Sequence, residues 1–194
     1  MSAKKSKLSG RFAEAFHFAS SLHLAQIRKG TDIPYVAHLL MVAGIVLEHG
    51  GSEDEAIAAL LHDALEDQGR PGVREEIERR FGGKVLKIVE GCTDAEAHPR
   101  PPWRARKEKF LADLPRLPPA TRLVEAADKL HNAQAILRDY RALGDRLWSR
   151  FSGGKEGVLW YYRAAVGAFK QAGNSPLLEE LDRVVTELER LAAK

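Results

Sequence analysis

The sequence predicts an all-α protein, and three observations carry that expectation. Apolar residues recur at helical spacing along most of the chain. No alternating apolar–polar run is long enough to make a strand. β-Branched residues are sparse, which removes the side chains that strands favour.

Each element follows in order. Residues 1–10, MSAKKSKLSG, are basic and lack the apolar stretch of a secretory signal, so they read as a short flexible tail. The remaining residues, 11–194, are expected to form a single domain, with the helices after 145 completing it. Phe12, Ala15, Phe16, Ala19, Leu22 and Ala25 predict a first helix over 11–28. Gly30 and Pro34 mark a loop. The next helix, about 35–49, is apolar on most sides and should be central. Ser52 with Glu55 three residues on reads as a capping box opening a helix over 53–67, which Gly69 and Pro71 break. REEIERRF and KVLKIVEGC are two shorter helices separated by Gly82-Gly83. HPRPPW (98–103) must be a loop, because its prolines remove donors and block helix. Trp103–Leu114 is helical, and a long helix follows over about 120–143. Residues 145–152 form a turn or short helix, and two last helices cover 155–172 and 176–192.

Composition excludes several functions. Hydrophobic residues make up 44% and charged residues 29%, ordinary values for a globular protein. No apolar run approaches the roughly 20 residues that span a bilayer, so no membrane role is expected. A formal net charge of +3, with no basic stripe interleaved with aromatics, argues against nucleic acid as a partner. The single cysteine, Cys92, forbids an intramolecular disulfide and fits a reducing cytoplasm. Nothing in the sequence signals an oligomeric state.

ALLHDALEDQG (59–69) carries the chemistry. An apolar helix receives His62, Asp63, Glu66 and Asp67 at its densest point. Residues four apart share a helix face, so His62 with Glu66 and Asp63 with Asp67 would point into one sector. Three carboxylates that close resist burial unless a cation joins them or some are protonated. An isolated His-Asp pair would more often be an exposed acidic edge bridged to arginines. Here His38 also sits in an apolar helix, YVAHLLMVAGIV, and Asp128 in another, LVEAADKLHNAQAIL. Each alone would more often be a hydrogen-bonded core group. Together they give two imidazoles and two carboxylates from three helices, a donor set suited to Mn, Fe or Zn, with Mn or Fe favoured.

These residues resemble a known family. His38, His62-Asp63 and Asp128 match the H…HD…D signature of the HD phosphohydrolase superfamily. HDALEDQ resembles the HDxxED box of its Rel/Spo branch, the hydrolases of guanosine tetra- and pentaphosphate. IRKGTDIPYVAHLLMVAGIV, FGGKVLKIVEGCTD and AADKLHNAQAIL resemble further motifs of that branch, in order, from residue 11 to about 140. Leu39 stands where the family usually has proline, and Ala126 departs from the last motif; neither removes a proposed ligand. With no room for a synthetase or regulatory region in 194 residues, the chain looks like a stand-alone small alarmone hydrolase.

The resemblance implies an HD-domain helical bundle with its metal site between central helices. It implies Mn²⁺ held by His38, His62, Asp63 and Asp128, with Glu66 and Asp67 handling the attacking water and its protons. It implies a nucleotide substrate that loses its 3′-pyrophosphate. Arg28 and Lys29 match a basic pair beside the nucleotide, although a charged helix end would look the same. Asn132, one turn past Asp128, matches a substrate-side asparagine, although a polar surface residue would too. Lys155 and Tyr161 are further candidates for the phosphates and ribose, with Arg104 and Lys107 behind them; aromatic pairs such as Trp160-Tyr161 are more often core. The same site could serve an adenine alarmone, the 2′-phosphate of NADPH or another nucleotide phosphate. A nucleotide-binding sensor is the non-enzymatic alternative, disfavoured by the intact Glu66 and Asp67.

Overall fold

A computed structural model describes residues 7–67, 71–93 and 101–193, with Asp67 described by its backbone alone. Among these residues the fold is all-α, with an isolated antiparallel bridge between Ile27 and Pro34 and no named strand. No helix is long and apolar enough to cross a membrane. The helices gather into two compact units, Met1–Thr93 and Asp94–Lys194.

In the first unit, α1 (Gly10–Leu22), α2 (Val36–Glu48), α3 (Glu53–Leu61), α4 (Ala64–Asp67), α5 (Val73–Phe81) and α6 (Gly83–Cys92) surround a core centred on α3. Every residue of α3 from Ala56 to Leu61 is buried, which explains its lack of a polar face after the first turn. Ser52 and Glu55 form the expected capping box. Glu53 and Asp54 sit in that first turn, where the helix dipole favours them, and Arg11 of α1 bridges both.

Two boundaries differ from the sequence expectation. The first helix stops at Leu22 rather than at residue 28. His23 turns inward, bonding Gln26 Oε1 through Nδ1 at 2.7 Å, and the chain then folds back on itself. Arg28 N donates to Ile33 O at 2.9 Å and Tyr35 N donates to Gln26 O at 2.9 Å, closing a hairpin over 26–35. Gly30, at φ 73, supplies the left-handed residue at its tip. Arg28 and Lys29 therefore ride a hairpin and do not end a helix. The second difference is the helix over 53–67, which breaks at His62-Asp63 into α3 and α4. His62 Nδ1 lies 2.8 Å from Ala59 O, so a side-chain donor competes for a carbonyl of the helix ladder.

The second unit holds α7 (Trp103–Asp113), α8 (Pro119–Leu143), α9 (Gly154–Gln171) and α10 (Pro176–Ala192), with 3₁₀ turns at Leu114–Arg116 and Gly144–Arg150. Proline opens α8 and α10, where its missing N–H costs nothing. The 25-residue α8 packs on α10 and α9, and Val124, Ala127, Leu130, Ala133 and Leu137 are among its buried residues. An Arg163 staple joins α9 to α10, with Nη1 2.5 Å from Asp182 and Nε 3.1 Å from Glu189. By contrast α7 buries no residue and is held by Trp103 at its start. A Cβ at Gly153 would lie 2.7 Å from the Trp103 indole, so glycine is what lets the ring seat there.

Candidate metal centre

In the first unit, α2 brings His38 into the core and the α3–α4 turn brings His62 and Asp63 beside it. Both imidazoles are buried and lie edge to face, 5.2 Å between centroids. Asp63 Oδ2 is 3.0 Å from His62 Nε2 and 3.6 Å from His38 Nε2. Tyr35 donates its hydroxyl to the same Oδ2 at 2.5 Å. The bond between His62 Nδ1 and the Ala59 carbonyl fixes the tautomer, because a carbonyl can only accept. Nε2 then carries the lone pair and faces a carboxylate oxygen. Two lone pairs at 3.0 Å repel unless a positive species joins them, so this donor set fits a divalent cation.

The sequence expectation of one continuous helix over 53–67 is corrected by the break at His62-Asp63. Glu66 lies half-buried on α4, beyond the turn. The side chain of Asp67 falls outside the described residues.

In the second unit, Asp128 is buried on α8 and both its oxygens accept hydrogen bonds from its own helix. Lys129 Nζ donates to Oδ2 at 2.6 Å and Asn132 Nδ2 donates to Oδ1 at 2.6 Å. Lys129 also bonds buried Glu125, one turn earlier, at 2.8 Å. Burial alone would lower the Lys129 pKa, but the carboxylates of Asp128 and Glu125 outweigh it and hold the ammonium well above the ordinary lysine value. Glu125 and Lys129 were not singled out in the sequence; their i, i+4 spacing on an apolar helix was the available signal.

Tyr161 is buried with its ring edge-on to Trp103, and the Lys107 ammonium stands 5.2 Å from the ring centre. Burial pushes its phenol up, so it stays a protonated donor throughout the physiological range. Lys155 pairs with Asp145 at 3.4 Å, and Arg104 stacks 3.3 Å over Trp160 while bonding Glu108.

A family model described as the HD domain matches residues 15–159. The chain belongs to the HD domain family. It is 34% identical over 179 residues to the mouse guanosine-3′,5′-bis(diphosphate) 3′-pyrophosphohydrolase MESH1, covering 90% of this chain and 92% of that protein. Identity to the Xenopus tropicalis MESH1 is 40% over 139 residues, 70% of this chain and 73% of that one. A solved metazoan ortholog of SpoT, described as hydrolysing ppGpp, superposes with a TM-score of 0.79 at 26% identity, over 95% of this chain and 98% of its own. His38, the His62-Asp63 pair and Asp128 all fall within the segment matched as an HD domain.

Proposed function

We infer that this chain is a metal-dependent hydrolase that removes the 3′-pyrophosphate of guanosine 3′,5′-bis(diphosphate)-type nucleotides. The observation that carries the inference is likeness to curated hydrolases of that substrate along 90% of the chain. The polar cluster at the α3–α4 turn supports it, because it brings imidazoles and a carboxylate together where a cation is needed.

Residues His38, His62, Asp63 and Asp128 would hold the metal, with Mn²⁺ the best match to two imidazoles and two carboxylates. When bound, the cation supplies Lewis-acid charge at the scissile phosphorus and acidifies the attacking water. Glu66 and Asp67 orient that water and accept its proton. Arg28 and Lys29 bind the phosphates from the hairpin, since each cation forms charge-assisted bonds that a bare ribose hydroxyl cannot match. Asn132, Lys155 and Tyr161 contact the remaining nucleotide, and Asn132 also steadies Asp128. Water attacks the phosphorus next to the 3′ oxygen, the bond between that phosphorus and the oxygen breaks, and the oxygen leaves as the ribose hydroxyl. The products are intact pyrophosphate and GDP or GTP. The single cysteine supports a cytoplasmic location.

The test is a Mn²⁺-supplemented reaction with guanosine and adenosine alarmones and NADPH, products resolved by anion exchange. The expected result is pyrophosphate and GDP with no 3′-monophosphate intermediate. Orthophosphate released first, or turnover confined to NADPH, would overturn the assignment in favour of a phosphomonoesterase.

A further inference from the structure

The hairpin over 26–35 ends on Tyr35, immediately before α2, and its ring is fixed on two sides. The buried His23 imidazole stacks on it at 5.3 Å and 22°. His38 meets it edge-on at 5.4 Å. The backbone is fixed as well, because Tyr35 N donates to Gln26 O while His23 Nδ1 bonds the Gln26 side chain. A ring held this way can place its hydroxyl in one position only. That position is 2.5 Å from Asp63 Oδ2, the oxygen that also faces both imidazoles.

The hydroxyl bond bears directly on the rotamer of Asp63. That residue sits half-buried in the turn between α3 and α4, with the bonded oxygen turned toward both imidazoles. A carboxylate free to rotate pays side-chain entropy on binding a cation. It can also swing its oxygens away from the imidazole nitrogens. A phenol donates one proton and brings no charge, so it orients the carboxylate without competing for the site electrostatically.

We propose that Tyr35 is a positioning residue for the metal centre: its hydroxyl, aimed by the His23 stack, presets the Asp63 carboxylate for the cation. The proposal rests on the metal-dependent reading of the preceding subsection. It also gives the hairpin a second task, since the segment whose tip carries Arg28 and Lys29 aligns a proposed ligand at its foot.

Tyr35→Phe tests it, because phenylalanine keeps the stack and removes only the hydroxyl. Mn²⁺ affinity of the metal-free full chain is measured by electron paramagnetic resonance, and melting is recorded with and without Mn²⁺. The expected result is a Mn²⁺ affinity about 10-fold weaker, the low end for removing an outer hydrogen-bond partner of a ligand, with a smaller Mn²⁺-induced rise in melting temperature. A packing role would lower both melting temperatures together and leave the affinity and the rise unchanged; that outcome overturns the proposal. If the wild-type chain binds no Mn²⁺, the metal-dependent reading falls and this proposal with it. If the wild type binds Mn²⁺ and Tyr35→Phe matches it, only the positioning role falls.

Discussion

The two units surround a carboxylate in opposite ways. On α8, Asp128 is balanced from within: Lys129 bonds it and Glu125, and Asn132 takes its other oxygen, so the cluster carries its own cation. At the α3–α4 turn, Asp63 meets a phenol and two imidazoles, none of them a permanent cation. The first arrangement resembles a structural ion-pair cluster, in which each charge offsets the desolvation of the next. In the second, one carboxylate oxygen lies against two imidazole nitrogens, a set that a proton or a cation draws together. The difference teaches two ways to hold a carboxylate. Asp128 is held by a lysine and an asparagine of its own helix, whereas Asp63 is oriented by a phenol and two imidazoles.

The sharpest way to break this comparison is His62→Ala. It removes a proposed ligand and the donor to Ala59 while taking from Asp63 its nearest imidazole. Turnover should fall to background, and purified protein should contain far less than one equivalent of metal. Stoichiometric metal in this variant, read by elemental analysis, would remove His62 from the ligand set.

Next in size are Glu66→Gln and Asp67→Asn. Each replaces a proposed base by an amide of similar size, so turnover should drop roughly 10²–10⁴-fold, the usual worth of a positioned acid or base. Metal content should hold, which separates these residues from the ligands. Near-normal rates in both variants would make the acidic box structural.

How far these features could be read in the sequence varies with the physics behind each. Helix ends fixed by local chemistry were legible: the Ser52–Glu55 box and the prolines opening α8 and α10 act within one turn. The end of α1 was not, because Ala25 continues the apolar period while Leu24 and Ile27 in fact face solvent, 86% and 56% exposed. There a buried histidine and the hairpin that follows override the pattern, through contacts with Gln26 and Tyr35 that helical periodicity does not signal. Residue type alone was enough to nominate His38, His62, Asp63 and Asp128, since imidazoles and carboxylates in apolar helices demand partners. The break at His62 was not visible, because the Ala59 carbonyl that it bonds is present in any helix. Tyr35 read as part of a loop motif; its role emerges only from the hairpin that brings its hydroxyl to Asp63.

A third experiment compares the two carboxylates directly in metal-free protein. Lys129→Met leaves Glu125 and Asp128 buried beside each other without their cation, and should cost about 3–5 kcal/mol in urea denaturation. Asp63→Asn should cost much less, since it replaces a half-buried carboxylate by an amide of similar size whose oxygen can still accept the Tyr35 hydroxyl. Equal losses would mean that the two carboxylates are balanced alike.

The smallest expected effect lies at the α9–α10 staple, where charges meet solvent and no metal is involved. Lys170 and then Arg163 bond Asp182 and hold its carboxyl below the usual range, against a smaller opposing effect of burial. A carboxyl with a depressed folded pKa contributes stability that is full above its unfolded value, about 3.9, and is lost as the pH falls through the folded value. Asp182→Asn removes that proton-linked part. At pH 7 the variant should be less stable by about 1 kcal/mol or less, because partly exposed ion pairs are weak. Near pH 3 the gap to the wild type should narrow, and Mn²⁺ affinity should match the wild type at neutral pH. Urea midpoints at the two pH values measure this. A gap that stays constant with pH would show that Asp182 acts through the shape of the α9–α10 contact and not through its charge, leaving Arg163 and Lys170 as packing groups on that face.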